Sequence, residues 1–363
     1  MIFAAEKKSM KKHNFSAGPA ILPQEVLSQA ADAVRDLDGS GLSLIEISHR
    51  SKAFVNIMEE ACALSLELSG LENTTYRALF LQGGASTQFL MTAYNLLEKQ
   101  AGYINTGSWS DKAIKEAKLF GNVVELASSK ADNYNYIPKE LKPTGDLDYV
   151  HITTNNTIFG TQFHDIPVLS PPLVADMSSD IFSRTFDYSK FGLFYAGAQK
   201  NLGPAGTTLV IADMDILGKV SRAVPSMMDY SLQMAKDSMF NTPPVFPIYT
   251  ALLNMRWIKA QGGLKGVGKA NAHKASLLYS EIDRNDCFVG FAATEDRSQM
   301  NATFNLTDAS TAERFDQLWN EAGISGLKGH RSVGGYRASI YNALPLASVE
   351  LLIEIMKEFE RTN

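Results

Sequence analysis

Short apolar segments alternate with helical segments between residues 77 and 212, and this alternation restricts the possible fold more than any other sequence feature. The apolar segments leave no polar face for water, which is typical of a mostly parallel sheet covered by helices. Strands are predicted at 78–81, 103–104, 123–126, 149–153, 173–175, 193–195 and 208–212, with helices near 87–97 and 111–120. The sequence therefore predicts an α/β fold.

The length and a change of pattern near residue 260 predict two domains. A domain usually holds about 100–200 residues, and this chain has 363. Before the alternating region, a helix is predicted after Pro23 and another from the N-cap residue Ser51 to Gly70. After residue 249 the pattern becomes α+β, with helices at 249–261, 267–284, 311–322 and from 346, and strands at 303–306 and 337–341. We expect a large α/β domain over residues 24–260 and a small α+β domain formed by residues 1–23 and 261–363.

Charge and cysteine content argue against several classes of protein. The chain has 34 basic and 39 acidic residues, and a net charge of −5 gives no general attraction to nucleic acid or to an anionic membrane. Its apolar runs are far shorter than the roughly 18 residues of a membrane helix, and residues 1–12 are interpreted as a loose extension without the order of a signal peptide. Cys62 and Cys287 have no C-x-x-C spacing, so we expect no disulfide framework, no metal site and a cytoplasmic location.

Lys200 lies among small residues directly after a predicted strand. The segment reads Gly197-Ala198-Gln199-Lys200-Asn201-Leu202-Gly203-Pro204-Ala205-Gly206. Small residues let a ligand approach the backbone, and partial desolvation lowers the pKa of an amine toward the range of a Schiff-base nucleophile. A solvated loop lysine is the alternative interpretation, and it is the commoner one for a lysine considered alone.

Asp176 follows the predicted strand at 173–175, and Lys200 follows the next strand along the chain. Both residues should therefore meet at the carboxyl edge of the sheet, where open α/β sheets bind ligands. Pyridoxal phosphate needs such a pair, because a lysine binds its aldehyde and a carboxylate keeps its pyridine nitrogen protonated. A helix-capping role is the alternative for Asp176.

A glycine-rich turn, Gln82-Gly83-Gly84-Ala85-Ser86-Thr87-Gln88, joins a predicted strand to a helix. Backbone N–H groups at such a helix start can bind phosphate, although any tight strand-to-helix turn would look similar. Trp109 begins the next helix at the same edge, where its indole could stack on a planar ring or simply pack in the core.

Two His-Arg pairs form candidate anion sites. They are His49-Arg50 and His330-Arg331, with Arg337 close behind the second. Arginine binds carboxylate or phosphate with two parallel hydrogen bonds, and an adjacent histidine adds another donor. Surface arginines are the alternative interpretation, but the shared form suggests one anionic substrate held from two sides.

Other nucleotide and metal motifs are weak or lacking in the sequence. Gly263 to Lys269 matches G-x-x-x-x-G-K, but Ala270 follows where a P-loop needs a hydroxyl, and the predicted context is helical. The sequence also lacks a G-x-G-x-x-G after a strand and an H-E-x-x-H pattern. We therefore expect neither a P-loop, nor a dinucleotide fold, nor a zinc centre.

Five longer segments carry the most specific pattern in the chain. They are Asn14-Phe15-Ser16-Ala17-Gly18-Pro19-Ala20, Ser48-His49-Arg50, Gly197 to Gly206, Ser238-Met239-Phe240-Asn241-Thr242-Pro243-Pro244, and Lys328-Gly329-His330-Arg331-Ser332-Val333-Gly334-Gly335-Tyr336-Arg337-Ala338-Ser339-Ile340-Tyr341-Asn342. Together they closely resemble the phosphoserine aminotransferases, of the class-V aminotransferase family, from about Asn14 to the C-terminus. The resemblance implies a fold-type I pyridoxal phosphate enzyme that exchanges an amino group between phosphoserine and 2-oxoglutarate in serine biosynthesis. In many bacterial members it also implies a role in pyridoxine synthesis, with 4-phosphohydroxy-L-threonine as the substrate.

The resemblance also implies a role for each matching residue. Lys200 would bind the cofactor aldehyde, Asp176 its pyridine nitrogen, Trp109 its ring face and Thr157 its phenolic oxygen. The cofactor phosphate would be held by Ala85, Ser86 and Gln199, and by Asn241 and Thr242 from the other subunit of a homodimer. Arg337 would bind the substrate α-carboxylate, and its distal phosphate would lie among His49, Arg50, His330 and Arg331.

One departure and three rival functions accompany the resemblance. Some members carry Gly-Gly-Gly-Arg-Gly-Gln-Phe where this chain has Gly83-Gly84-Ala85-Ser86-Thr87-Gln88-Phe89, so an arginine near the cofactor is missing. Other fold-type I activities, such as cysteine desulfuration or amino transfer to glyoxylate, are the nearest rivals, but a desulfurase needs a mobile reactive thiol, which neither cysteine matches. A binding protein without turnover would be expected to lose one of the catalytic or substrate-binding residues, all of which are present.

Overall fold

The computed structural model describes residues 12–142 and 145–363, and the first eleven residues of the predicted N-terminal extension lie outside the described residues. The centre of the fold is a seven-stranded sheet in the order β2-β8-β7-β6-β5-β3-β4. Its strands are β2 (Tyr76–Gly83), β3 (Gln100–Asn105), β4 (Asn122–Ser128), β5 (Tyr149–Thr153), β6 (Leu173–Asp176), β7 (Leu193–Gly197) and β8 (Gly206–Asp213). Each strand predicted between residues 77 and 212 is present, with bounds equal to or wider than the prediction.

The sheet is parallel except at β8, which runs antiparallel to both of its neighbours, β2 and β7. The pairs from β7 through β6, β5 and β3 to β4 are all parallel. Every residue of β5, β6 and β7 is buried, which explains why their sequences are apolar without alternation. The predicted α/β fold is confirmed.

Nine α-helices accompany the strands in the described part of the chain. They are α1 (Gln24–Arg35), α2 (Lys52–Ser69), α3 (Ala85–Leu96), α4 (Ser108–Ala117), α5 (Tyr230–Ala235), α6 (Val245–Ala260), α7 (Gly263–Arg284), α8 (Ala312–Glu321) and α9 (Leu346–Thr362). Ser51 is the N-cap of α2 as predicted, because its side chain accepts a hydrogen bond from the Phe54 N–H at 3.4 Å. The segment that mimics a P-loop lies in the first turns of α7. In the described residues, no helix combines the length and the apolar character that crossing a membrane requires.

The C-terminal third contains a second, three-stranded antiparallel sheet in the order β12-β10-β9, and its strand β11 forms a short parallel pair with the N-terminal strand β1. The strands are β1 (His13–Asn14), β9 (Phe288–Gly290), β10 (Asn301–Leu306), β11 (Ile324–Ser325) and β12 (Tyr336–Ser339). Buried apolar residues of α7, α8, α9 and these strands form one cluster, which also contains Phe15 from the N-terminal segment. The main cluster lies between the large sheet, α2 and α6. The division into domains at residue 260 stays a prediction.

The structure differs from the sequence prediction mainly in short elements. β1, β9, β11 and α5 have two to six residues, too few for periodicity to reveal, and β1 and β11 depend on pairing with each other across the chain. The helix predicted after Pro23 ends at Arg35, and Leu37 lies in the following loop, where its N–H donates to Leu42 O. The strand predicted through residue 341 ends at Ser339.

Candidate active site

Lys200 lies in the loop after β7 and is only 9% exposed. Its Nζ donates a hydrogen bond to Thr157 Oγ1 at 2.6 Å. Burial lowers the pKa of Lys200 from 10.5 to about 8, and the charge of Arg337 lowers it as well, while Asp176 and Asp180 oppose that shift. The amine is therefore more readily deprotonated near neutral pH than a solvated lysine.

Asp176 is the last residue of β6 and is paired in register with Tyr195 on the adjacent parallel strand β7. The predicted meeting of Asp176 and Lys200 at the carboxyl edge of the sheet is therefore present. Burial raises the pKa of the Asp176 carboxyl, whereas the Lys200 charge and hydrogen bonds from Ser178 lower it. Oδ1 accepts both of those bonds, from Ser178 N at 2.9 Å and from Ser178 Oγ at 2.6 Å. Oδ2 has no donor among the described residues.

Ser178 is a site residue that the sequence reasoning missed. Its hydroxyl donates to Asp176 and accepts from the Gly197 N–H at 3.0 Å, so it joins the end of β6 to the loop that carries Lys200. A serine two residues after an aspartate at a strand end was the available signal, because this spacing favours a local side-chain turn.

The glycine-rich turn supplies two free backbone donors. Helix α3 begins at Ala85 after Gly84, without a side-chain cap, and the Ala85 and Ser86 N–H groups have no acceptor among the described residues. Gly197 is close to them, since a Cβ atom there would lie 3.3 Å from Ala85 N and 2.8 Å from Gln199 Oε1. The turn and the lysine loop thus approach closely, and the free N–H groups can bind an anion.

Trp109 and Arg337 lie beside the Lys200 and Thr157 pair. Trp109 belongs to α4, and Lys200 Nζ lies 5.1 Å from its ring centroid. Arg337 belongs to β12, and its Nη1 donates to Thr157 O at 3.3 Å. Burial lowers the pKa of Arg337, but guanidinium remains charged in proteins. A cation and an aromatic face therefore border the buried amine.

These residues line one cavity of about 340 Å³. Of the predicted site residues, the cavity brings together Ala85, Ser86, Trp109, Thr157, Asp176, Gln199, Lys200, His330 and Arg337, and Ala17, Gly18, Gly84, Ile158 and Ser178 lie with them. Such a volume is in the range of small-molecule sites. The roles that the resemblance gives to these residues stay predictions.

Five predicted site residues do not line this cavity within one chain. Arg50 and Arg331 are exposed, and His49 is half-buried in the turn before α2. Asn241 and Thr242 are exposed, and the Thr242 carbonyl accepts a hydrogen bond from Gln82 Nε2. Asn241 lines a neighbouring cavity with Gln82 and Gly83.

The cavity fits the pyridoxal phosphate that the resemblance implies. Two buried donors on its walls, Trp109 Nε1 and Arg337 Nε, have no hydrogen-bond partner in the described structure. The free Asp176 Oδ2 can accept a hydrogen bond from a protonated ring nitrogen, and the free N–H groups of the glycine-rich turn can donate hydrogen bonds to a phosphate. The amine, the carboxylate and the anion site are all supplied by this chain.

Known proteins with similar sequences belong to one family of aminotransferases. The sequence profile of the Aminotransferase class-V family matches residues 12–352. The chain belongs to this family. A phosphoserine aminotransferase from Flavobacterium psychrophilum is 61% identical over 97% of this chain and 99% of its own length. One from Bacteroides thetaiotaomicron is 56% identical over 98% of this chain and the whole of the relative.

Solved structures of class-V aminotransferases give the same result. The phosphoserine aminotransferase of Bacillus circulans subsp. alkalophilus has a TM-score of 0.94 and 46% identity, covering 98% of this chain and 99% of that chain. A pyridoxal phosphate-bound phosphoserine aminotransferase from Trichomonas vaginalis has a TM-score of 0.91 and 36% identity, and the match covers 96% of this chain and 100% of that chain. An alanine–glyoxylate aminotransferase from Nostoc, at 15% identity and a TM-score of 0.74, shares the fold alone.

Proposed function

We propose that this chain catalyses reversible amino transfer between O-phospho-L-serine and 2-oxoglutarate, giving 3-phosphohydroxypyruvate and L-glutamate, as a step of serine biosynthesis. The observation that carries the proposal is the buried Lys200 and Asp176 pair in one cavity with His330 and Arg337. Full-length relatives at 51–61% identity, all phosphoserine aminotransferases, support it.

The cofactor is pyridoxal phosphate, which when bound supplies an electron sink for the bond that breaks at the substrate α-carbon. Lys200 Nζ would hold the cofactor aldehyde, and as a free amine, whose pKa burial lowers to about 8, it would give up or accept a proton near neutral pH. This suits it to move the proton at the α-carbon. Asp176 holds the proton on the ring nitrogen, and the Ser178 hydrogen bonds orient its carboxylate.

Substrate orientation depends on cations outside the cofactor contacts. Arg337 can bind the α-carboxylate with two parallel hydrogen bonds, since Thr157 O fixes one side of its guanidinium. His330, Arg331, His49 and Arg50 are proposed to hold the distal phosphate. Serine or alanine would leave these positive charges without an anion, so both should be poor donors.

We further propose a homodimer with shared active sites. His49, Arg50, Asn241 and Thr242 do not line the Lys200 cavity of their own chain, and three of them are exposed. Pro243 and Pro244 stiffen the loop just before α6, as expected for a segment that reaches across an interface. A cytoplasmic location and activity with 4-phosphohydroxy-L-threonine stay predictions.

A desulfurase is disfavoured by the state of both thiols. Burial raises the pKa of Cys62 to about 12, and burial likewise raises the pKa of Cys287. Neither cysteine lines the Lys200 cavity. A thiol that stays protonated at neutral pH is a poor nucleophile toward sulfur transfer.

The proposal is tested by assaying the purified holoenzyme with phosphoserine, serine and alanine, each with 2-oxoglutarate, and by recording the cofactor spectrum after each addition. We expect glutamate formation and a spectral change with phosphoserine only. An unchanged spectrum with phosphoserine would indicate a binding protein, and comparable turnover of serine would contradict the proposed specificity. A parallel assay with 4-phosphohydroxy-L-threonine tests the second donor.

A further inference from the structure

Three consecutive backbone carbonyls in the turn after Asp176 each accept a hydrogen bond from an asparagine side chain. The bonds are Asn201 Nδ2 to Ile181 O at 2.6 Å, Asn342 Nδ2 to Phe182 O at 2.9 Å and Asn271 Nδ2 to Ser183 O at 2.9 Å. Asn201 follows Lys200, Asn342 follows β12 and Asn271 belongs to α7. The turn is therefore held by three separate parts of the chain.

The middle residue of this group has an unfavourable backbone conformation. Phe182 has a φ of 53°, in the left-handed region that a bulky residue rarely adopts. A residue in such a conformation persists only where its surroundings fix it, and such residues cluster at functional sites. The three asparagine bonds, at Phe182 and at the residues on either side of it, supply that fixation.

Asn201 is the asparagine that connects this turn to the loop of the reactive amine. Before Lys200, the Gly197 N–H donates to Ser178 Oγ at 3.0 Å. After Lys200, Asn201 Nδ2 donates to Ile181 O. Ser178 and Ile181 both belong to the turn, so one hydrogen bond on each side of the lysine ties its loop to that turn.

The Asn201 side chain uses both of its polar atoms. It is 4% exposed, and its Oδ1 accepts from the Asn342 N–H at 3.0 Å. Asn342 is itself held by Asn271 Nδ2, which donates to Asn342 Oδ1 at 2.7 Å. A side chain at position 201 that lacks the donor or the acceptor would therefore leave a backbone group without its partner.

We propose that Asn201 is a positioning residue that fixes the separation of Lys200 and Asp176 for pyridoxal phosphate. The lysine would hold the cofactor aldehyde and the carboxylate its ring nitrogen, and these two groups lie at opposite ends of one rigid ring. A shift of the lysine loop against the turn would therefore misplace one of the two contacts. The inference rests on the cofactor and is independent of the amino donor, so it stays testable if phosphoserine is not converted.

The experiment measures the affinity of the apoenzyme for pyridoxal phosphate by equilibrium dialysis. Asn201→Ala should bind the cofactor about tenfold more weakly, because the loss of a buried hydrogen bond frees the lysine loop from the turn. Asn254→Ala is the matched control. Asn254 is 2% exposed in α6, and its Nδ2 donates to Asn201 O at 3.1 Å and to Leu202 O at 2.8 Å. The control therefore removes two bonds to the same loop and keeps the bond between that loop and the turn.

The cofactor affinity of Asn254→Ala should stay near wild type. Equal losses in Asn201→Ala and Asn254→Ala would show that any loosening of this loop weakens cofactor binding, which would overturn the proposal. An unchanged affinity in Asn201→Ala would overturn it as well.

A double variant shows whether the two bonds beside Lys200 act on one geometry. Ser178→Ala and Asn201→Ala each release the lysine loop from the same turn, so their combined loss of affinity should be smaller than the product of the separate losses. Ser178→Ala combined with Asn254→Ala should give the product. A combined loss for Ser178 and Asn201 that equals or exceeds the product would contradict the proposal.

Thermal unfolding followed by circular dichroism checks that each variant is folded. If Asn201→Ala does not fold, Asn201→Ser takes its place, because a serine hydroxyl keeps a polar group at this buried position but is one bond shorter than the amide nitrogen. It should show the same loss of cofactor affinity. Failure of both variants to fold would assign Asn201 to folding alone and overturn the proposal.

Discussion

Lys200 Nζ donates a 2.6 Å hydrogen bond to Thr157 Oγ1, so the amine is fixed in the cavity by a residue from a different loop. Thr157 follows β5, whereas Lys200 follows β7, and the bond spans the intervening strand β6 that ends in Asp176. The same Thr157 also accepts from Arg337 through its carbonyl. One threonine therefore sets the distance between the reactive amine and the arginine proposed for the α-carboxylate.

Covalent uptake of pyridoxal phosphate by the apoenzyme should rise with pH around a midpoint near 8. Only the neutral amine is nucleophilic, and burial lowers the pKa of Lys200 from 10.5 to about 8. Stopped-flow absorbance across pH checks this expectation. A midpoint close to 10.5 would contradict it.

Borohydride reduction and peptide mapping should locate the pyridoxyl group on Lys200 alone. Lys200→Ala should lose transamination while keeping a melting temperature close to wild type, because removing a buried amine also removes its desolvation cost. The amine contributes one hydrogen bond, to Thr157. Recovery of the pyridoxyl group on another lysine would overturn the assignment.

Ser178→Ala should weaken cofactor binding about tenfold or more, since hydrogen bonds to charged groups contribute about 1.5–3 kcal/mol. The substitution removes the 2.6 Å donor to Asp176 Oδ1 and the acceptor of the Gly197 N–H. Losing a donor raises the already raised pKa of Asp176 further, which weakens its hold on the ring nitrogen. Equilibrium dialysis of pyridoxal phosphate measures the effect.

Ser183→Ala is the control for this prediction. Ser183 is buried nearby in sequence, and its hydroxyl has no hydrogen-bond partner in the described structure. Its removal should leave cofactor affinity near wild type. Equal affinities for the two variants would show that the Ser178 hydroxyl does not support Asp176.

The free energy of unfolding should carry a pH dependence that comes from Lys274. This residue is 3% exposed, and its Nζ donates to the carbonyls of Ile340, Tyr341 and Leu344 at 3.0, 2.7 and 3.1 Å. Burial lowers its pKa from 10.5 to about 7. At pH values between these two pKa values the unfolded chain binds more protons than the folded chain. The free energy of unfolding therefore has a positive slope against pH that comes from Lys274.

Urea unfolding of the holoenzyme at several pH values between 7 and 10.5 measures this slope. Lys274→Met should flatten it, and Lys269→Met, at an exposed position of the same helix, should not. Destabilisation of Lys274→Met by an equal amount at every pH would mean that Lys274 serves only as a capping donor.

The strands of the large sheet were predicted well from the sequence, because buried strands are apolar and can be recognised from short local segments without knowledge of their partners. The edge position of Asp176 and Lys200 followed from the same strands, since parallel strands end at one edge. Lys274 could not be assigned, because its partners are backbone carbonyls brought close only by folding. For Ser178 the sequence offered only its spacing after Asp176, and its bond with the Gly197 N–H forms only in the folded chain.

Mixing two inactive variants should restore activity if each site is shared between subunits. One variant is Lys200→Ala, and the other carries Asn241→Glu and Thr242→Glu, acidic changes that repel a cofactor phosphate. In a mixed dimer with shared sites, one active site contains both the Lys200 and the Asn241-Thr242 substitutions, and the other contains neither. Random exchange makes roughly half of all dimers mixed, and each mixed dimer has one intact site. About one quarter of all active sites should therefore be functional, which gives about one quarter of the wild-type activity.

Mass spectrometry of the intact dimers must show that exchange has occurred, and each variant alone measures the residual activity. Asn241 and Thr242 are exposed and lie outside the Lys200 cavity of their own chain, which is why the defect is expected to act on the partner. Exchange without recovered activity would assign both elements to a single subunit. In that case the hydrogen bond from Gln82 Nε2 to Thr242 O would connect this loop to the glycine-rich turn of the same chain.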